Sequence, residues 1–160
     1  METKHNLVLR KTTLDDLDRL FEFQLDEKAN HLAAFTAADP ADKKAYIEKF
    51  TRLFADPSVN NFTIWQRDVI VGSIAKFEID SKAEITYWID RAFWGGGIAS
   101  AALGELLATE RQRPLFGRVA FDNIGSQKVL ERCGFIRIGT DKGYANARKR
   151  EIEEFVYRLD

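Results

Sequence analysis

Apolar and polar positions divide the chain into a helical first part and a sheet-rich remainder. Asn6–Arg10 alternates as a short strand. Thr13 then reads as a helix N-cap, with Asp16 three residues on among the first-turn acids Asp15 and Asp18, and Leu14, Leu17 and Phe21 on one face. Asp39-Pro40 reads as a second helix start, with Ile47, Phe50 and Phe54 as its buried stripe. Gln24–Ala38 between them is helical or irregular, and Asp56-Pro57 closes the helical part. Phe62–Gln66 and Val69–Ile79 flank a two-residue break at Arg67-Asp68 and predict a hairpin. Ser81-Lys82 reads as the next turn. In the strand that follows, Ile85, Tyr87 and Ile89 alternate with Glu84, Thr86 and Trp88 at a period of two.

That strand runs into Gly95, Gly96 and Gly97, and a helix from Ile98 to about Arg111 follows at once, burying Ala101, Ala102, Leu106 and Leu107. Pro114 ends that stretch, and Phe116–Phe121 is predicted as a strand parallel to the previous one, because a helix joins them. Asp122-Asn123 caps a further helix with Val129, Leu130 and Cys133 on its apolar side. Gly134 ends it, with Phe135 as the hydrophobic contact behind. Phe135–Gly139 and Glu151–Leu159 are the last two strands, around an irregular Asp141–Lys149. The predicted fold is therefore α/β (α+β): a mixed, mostly antiparallel sheet with helices on both faces, in a single domain over 1–160.

Composition narrows the function. Hydrophobic residues at 45% and charged residues at 31% fit a globular domain with a real core. A net charge of −1, with no dense Lys/Arg block, argues against nucleic acid, and no apolar run reaches the length of a membrane span. METKHNLVLRK lacks the apolar core of a signal peptide, so a cytoplasmic protein is expected, as a monomer or homodimer. One cysteine, Cys133, and two separated histidines, His5 and His31, give no support to a disulfide, a Cys/His metal centre or a Ser-His-Asp triad.

The strand, glycine turn and helix carry the candidate chemistry. Backbone N–H groups at a helix start have no intrahelical partner and favour an anion, above all phosphate. A plain tight connection would use the same glycines. A P-loop would need Lys-Ser or Lys-Thr after the last glycine, whereas Ile98 and Ala99 follow. Gly95-x-Gly97-x-x-Ser100, with Asp122 as a ribose acid, approaches a dinucleotide fingerprint. Three antiparallel strands ahead of the glycines count against that reading.

Two motifs together resemble the GNAT acetyltransferase superfamily, and within it the branch of bacterial ribosomal-protein N-terminal acetyltransferases. YWIDRAFWGGGIAS is similar to that branch's YW(L/I)-x-x-x-x-WG-x-GIA-(T/S). Asn123 to Phe135, NIGSQKVLERCGF, is similar to its N-x-x-S-x-x-(V/L)-L-x-x-x-GF. The resemblance implies acetyl-CoA as cofactor. Gly95, Gly96, Gly97, Ile98, Ala99 and Ser100 would hold its pyrophosphate, the main chain at Trp88 and Ile89 would hold the pantetheine arm, Asn123 would bond that arm from the other side, and Ser126 would lie near the thioester. Each has a plainer alternative: an N-cap for Asn123, a solvated helix position for Ser126, a core aromatic for Trp88. Many relatives carry Gln or Arg where this chain has Ala92, with Arg91 one place off, so a basic residue such as Lys128 is a candidate phosphate partner. Many also carry a tyrosine, acting as general acid, where this chain has Leu130.

The chemistry implied is direct attack of an amine on the thioester in a ternary complex. Glu84 is the candidate base, with a water-exposed strand-entry carboxylate as its alternative. N–H groups near Ile89 would stabilise the developing oxyanion, and Ser126 and Tyr144 are candidate acids for the thiolate. The expected acceptor is a protein or peptide N-terminal α-amine, which is already partly neutral near pH 7.5. The helical part shows no acid cluster of the kind a cationic small molecule would need. A small-molecule amine, or a non-catalytic acyl-CoA-binding module, remains open.

Overall fold

The computed structural model describes residues 6–160. Seven strands form one sheet: β1 (Leu7–Lys11), β2 (Asn60–Gln66), β3 (Val69–Ile79), β4 (Lys82–Ile89), β5 (Leu115–Ala120), β6 (Ile136–Ala145) and β7 (Arg150–Leu159). Their spatial order is β1-β2-β3-β4-β5-β7-β6. Every adjacent pair is antiparallel except β4 and β5, which are parallel. The helices are α1 (Leu17–Phe23), α2 (Glu27–Ala33), α3 (Lys43–Ala55), α4 (Ile98–Thr109) and α5 (Ile124–Arg132). Among the described residues no helix is long and apolar enough to cross a membrane.

The main core lies between the sheet and α4/α5. Ile64, Ile74, Ile85 and Leu115 from the strands meet Ile98, Ala102, Leu103, Leu106 and Leu130 from those helices. Residues one place along each strand face the other way. Thr63 contacts Asp16 just ahead of α1, while Ala120 and Ile152 pack with Ala34, which follows α2. The expected mixed sheet with helices on both faces is what forms.

Several boundaries differ for local reasons. The turn after β3 sits at Asp80-Ser81, both at positive φ (51° and 64°), the conformation of a tight two-residue hairpin, so Lys82 is already strand. The helix expected at Asp39-Pro40 begins later: Asp42 is the cap of α3, accepting from Ala45 N–H at 3.0 Å. Asp39 instead closes a turn ahead of it, accepting from Ala41 N–H. The stripe of Ile47, Phe50 and Phe54 is only half-buried. Asp141–Lys149, expected to be irregular, is mostly strand, because β6 runs through Ala145 and pairs along its length with β7. A register shift between Arg137 and Gly139 breaks its alternation, and its edge position leaves it exposed on both faces. The helix after the glycines ends at Thr109, and Leu103 joins its buried face. Gly134 (φ 93°) and the Phe135 N–H bond to Leu130 O close α5 as expected.

Asp16 does more than begin a helix. It is 8% exposed, accepts from Thr13 N–H at 3.0 Å, and takes the Thr63 hydroxyl at 2.8 Å, which in turn lies 3.0 Å from Thr12 Oγ1. This network fastens the start of the helical part to β2. Asp16→Ala removes the acceptor of the buried Thr63 hydroxyl and of the Thr13 N–H that closes the cap, and should cost roughly 1–3 kcal/mol of stability. Urea titration is the measurement, and a loss below about 0.5 kcal/mol, the size expected of an ordinary surface change, would contradict the role.

Candidate active site

The site follows from one feature of the sheet. β4 and β5 pair only at Ala83–Leu115 and Glu84–Phe116. β4 continues to Ile89, held on its other side by β3 through Gly72–Ile89. From Ile85 to Ile89 the edge of β4 that faces β5 is therefore not covered by that ladder. The two strands form a fork, closed at Glu84 and open at their C-terminal ends. Gly72 shapes the open end: a Cβ there would lie 2.3 Å from Trp88 O, so only glycine lets β3 approach so closely.

The glycine turn lies just beyond the open end. Gly95 and Gly97 have φ of 83° and 78°, and Gly97 is the N-cap of α4. The first helical bond runs from Ala101 N–H to Gly97 O at 3.1 Å. The N–H groups of Ile98, Ala99 and Ser100 precede it and point out of the helix start. A Cβ on Gly95 would meet nothing within 4 Å, and one on Gly96 only Phe93 O at 3.8 Å, so side chains would fill space that glycines leave clear. Such a helix start, with its N–H groups unpaired and glycines leaving the space open, suits an anion such as a pyrophosphate, and the uncovered β4 edge lies beside it. Trp94 braces the connection by donating its indole N–H to Ile89 O at 2.9 Å. Arg91 does not face the glycines. Its Nε bonds Asp26, the cap of α2. Lys128 is exposed on α5.

The other prong carries Asn123 and Ser126. Asn123 Oδ1 caps α5 by accepting from Ser126 N–H at 3.3 Å, and its Nδ2 donates to Leu32 O at 3.3 Å. It is thus an N-cap that also reaches α2. Asp122 is taken by Arg148 through two hydrogen bonds of 2.9 and 2.8 Å, and that guanidinium holds its carboxyl below the usual range. The dinucleotide reading needed this carboxylate free. Ser126 Oγ lies 2.5 Å from the hydroxyl of Tyr87 on β4. Tyr87 is the residue the alternation misled about. Its place between Ile85 and Ile89 marks it as core, yet a phenol on a core face needs a polar partner, and that was the available signal. Tyr144 does not join this group; it is 61% exposed on edge strand β6, beyond β7.

Glu84 sits at the closed end of the fork, on the sheet face opposite Ile85 and α4. It is 7% exposed, so the water-exposed alternative fails. Arg118 on β5 brings its Nε to 3.6 Å from Glu84, and its Nη1 to 3.1 Å from Asp141 and 3.0 Å from Glu154. Burial pushes the Glu84 carboxyl up, Arg118 opposes that, and Glu154 adds to it. Three carboxylates thus share one guanidinium on this face. The acids absent from the helical part stand on β4, β6 and β7 instead.

A family model described as an acetyltransferase (GNAT) domain matches residues 6–136. The uncharacterized N-acetyltransferase p20 of Bacillus licheniformis is 28% identical, over 99% of this chain and 96% of its own. YdaF of Bacillus subtilis (strain 168), assigned by name to ribosomal N-acetylation, is 27% identical over 94% of this chain and 90% of its own. A crystal structure of a probable acetyltransferase superposes with a TM-score of 0.81 at 26% identity, covering 98% of this chain and 93% of that one. The matched domain contains both prongs of the fork, the glycine cradle and α5, and the chain belongs to the GNAT acetyltransferases.

Proposed function

We propose that the protein moves an acetyl group from acetyl-CoA to the N-terminal α-amine of a protein or peptide. The observation that carries the reading is the fork, with an anion cradle at its open end and a buried carboxylate at its closed end. Bound acetyl-CoA supplies an activated acyl carbonyl. The residues of the chain do the rest. Gly95, Gly96 and Gly97 with the N–H groups of Ile98, Ala99 and Ser100 hold the pyrophosphate. The β4 main chain around Trp88 and Ile89 takes the pantetheine arm as an added strand, and Asn123 closes it from α5. Glu84 accepts the proton of the incoming ammonium. An α-amine, with a pKa of about 7.7–8, asks less of a single carboxylate than a lysine at about 10.4. The likeness to YdaF, assigned by name to ribosomal N-acetylation, favours a protein acceptor.

One observation favours a second reading. The carboxylates of Glu84, Asp141 and Glu154 outnumber Arg118 and would suit a small cationic amine. Short peptides with free or blocked N-termini, each carrying one lysine, separate the two in competition with polyamines. CoA release confined to free N-termini is expected; release that persists with the blocked peptide, or needs a small amine, rules the α-amine out.

Cofactor binding has its own test. Gly96 lacks the positive φ of its neighbours, so Gly96→Glu adds a carboxylate to the cradle without backbone strain. Acetyl-CoA affinity should fall by roughly 100-fold or more, about the worth of a charge clash at low dielectric, with the melting temperature unchanged. Calorimetry showing wild-type affinity would remove the cradle from the site.

For the base, Glu84→Gln should lower kcat by roughly 10²–10⁴. The acidic limb of kcat, measured at saturating acceptor, should lie above the ordinary glutamate range, because burial raises the group that must be ionised. Arg118→Met removes a charge that favours the carboxylate and should move the limb to higher pH. Glu154→Gln removes a repelling charge and should move it lower. Shifts in the same direction, or none, would return Glu84 to a structural role.

A further inference from the structure

The contact between Tyr87 and Ser126 joins the two prongs of the fork. Tyr87 stands on β4, and Ser126 on the first turns of α5, which follows β5. The phenol oxygen lies 2.5 Å from Ser126 Oγ and 3.3 Å from Ser126 O, so both its polar neighbours belong to one residue. Its ring is half-buried and packs against the main core, with Ile85 two residues before it on the same face.

Two hydroxyls at this distance share one hydrogen between them. A phenol is a stronger acid than an alkyl alcohol, so Tyr87 is the better donor and Ser126 Oγ the better acceptor. The serine then keeps its own hydrogen for a third partner. A hydroxyl that already accepts a hydrogen bond is also a stronger donor. We infer that Tyr87 is a positioning residue, whose O–H donates to Ser126 Oγ and thereby turns the serine hydrogen into the fork, toward the sulfur that leaves. This rests on the proposed binding of acetyl-CoA along the fork, with its thioester beside Ser126 as the family resemblance implies.

Proton transfer from this pair is a poor alternative. Burial pushes the Tyr87 phenol up to about 12. A thiol of ordinary acidity titrates near 8.5, so full transfer to the thiolate is uphill by roughly 10³-fold. A hydrogen bond to developing charge carries no such penalty. As the amine nitrogen bonds to the acetyl carbon, the C–S bond breaks and its electron pair goes to sulfur. The ammonium proton that Glu84 took first has by then passed to water, so its carboxylate is free to take the second proton that the nitrogen must lose. The Ser126 hydrogen stays on its oxygen while bonded to sulfur, and water protonates the thiolate afterwards.

The test is a double-mutant cycle on the full chain, with acetyl-CoA and whichever amine gives turnover. Tyr87→Phe removes one oxygen and keeps the ring. Its kcat should fall roughly 5–30-fold, the worth of one hydrogen bond to a developing charge, while KM for acetyl-CoA stays within about twofold. Ser126→Ala should fall at least as far, and the double variant no further than Ser126→Ala alone. Thermal melting and calorimetry with CoA confirm that each variant folds and binds. Additive losses, or a Tyr87→Phe loss seen in KM or CoA affinity with kcat unchanged, would make Tyr87 a packing residue. Wild-type kcat in Tyr87→Phe beside a defective Ser126→Ala overturns the positioning role and leaves the Ser126 placement standing. Wild-type kcat in Ser126→Ala removes the placement itself.

Discussion

The separation of β4 from β5 is the constraint on which the rest depends. Two parallel strands that pair at only two positions leave main-chain donors and acceptors in the middle of a sheet. Such groups are costly inside a protein unless something satisfies them. On the proposed function, an extended ligand with amide groups of its own would do so, and the same gap would let it reach the sheet centre. The glycine cradle and the α5 cap are then forced to one place. Both follow the C-terminal ends of the diverging strands, so both stand at the open end. Glu84 belongs to the last pair before the strands part, which puts its carboxylate at the closed end of the gap.

The two faces of the sheet divide the work. The α4/α5 face is the apolar core, with Tyr87 and Ser126 as a polar pair at its edge. The opposite face carries the charges, strung from Glu84 through Arg118 to Glu154 and Asp141. On the proposed mechanism, leaving-group stabilisation and amine activation come from opposite sides of one gap. Each would then work in the dielectric it needs, low for a hydrogen bond to sulfur, graded by Arg118 for an ionisable base.

Much of this was legible in the chain. The meander, the glycine turn and the α5 motif have local signals, and local signals decide hairpins and caps. The parallel pairing of β5 followed from its helical connection. What escaped was set by tertiary context. Arg118 meets Glu84 only because β5 lies beside β4, and Asp141 only because β6 is a strand. The polarity of β6 hid that strand, since an exposed edge needs no alternation. The helix at Asp39-Pro40 lost to Asp42 because both carry plausible cap chemistry, and spacing does not choose between them. Tyr87 was hidden by its aromatic ring, which satisfies the apolar pattern whatever its hydroxyl does.

Asn123 links regions that otherwise change independently. Its side chain caps α5 on one side and holds Leu32 O of α2 on the other, and the Asp122–Arg148 pair beside it reaches His31 O in the same helix. Substitutions on the exposed surface of α3, which no described hydrogen bond ties to that cap, can alter the helical part without moving Ser126. The final turn of α2 lacks that freedom, because any drift there is read directly by the cap that sets the pitch of Ser126. The end of α2 is therefore the part of the helical layer whose shape is tied to the α5 cap, and a change there reaches Ser126 through Asn123.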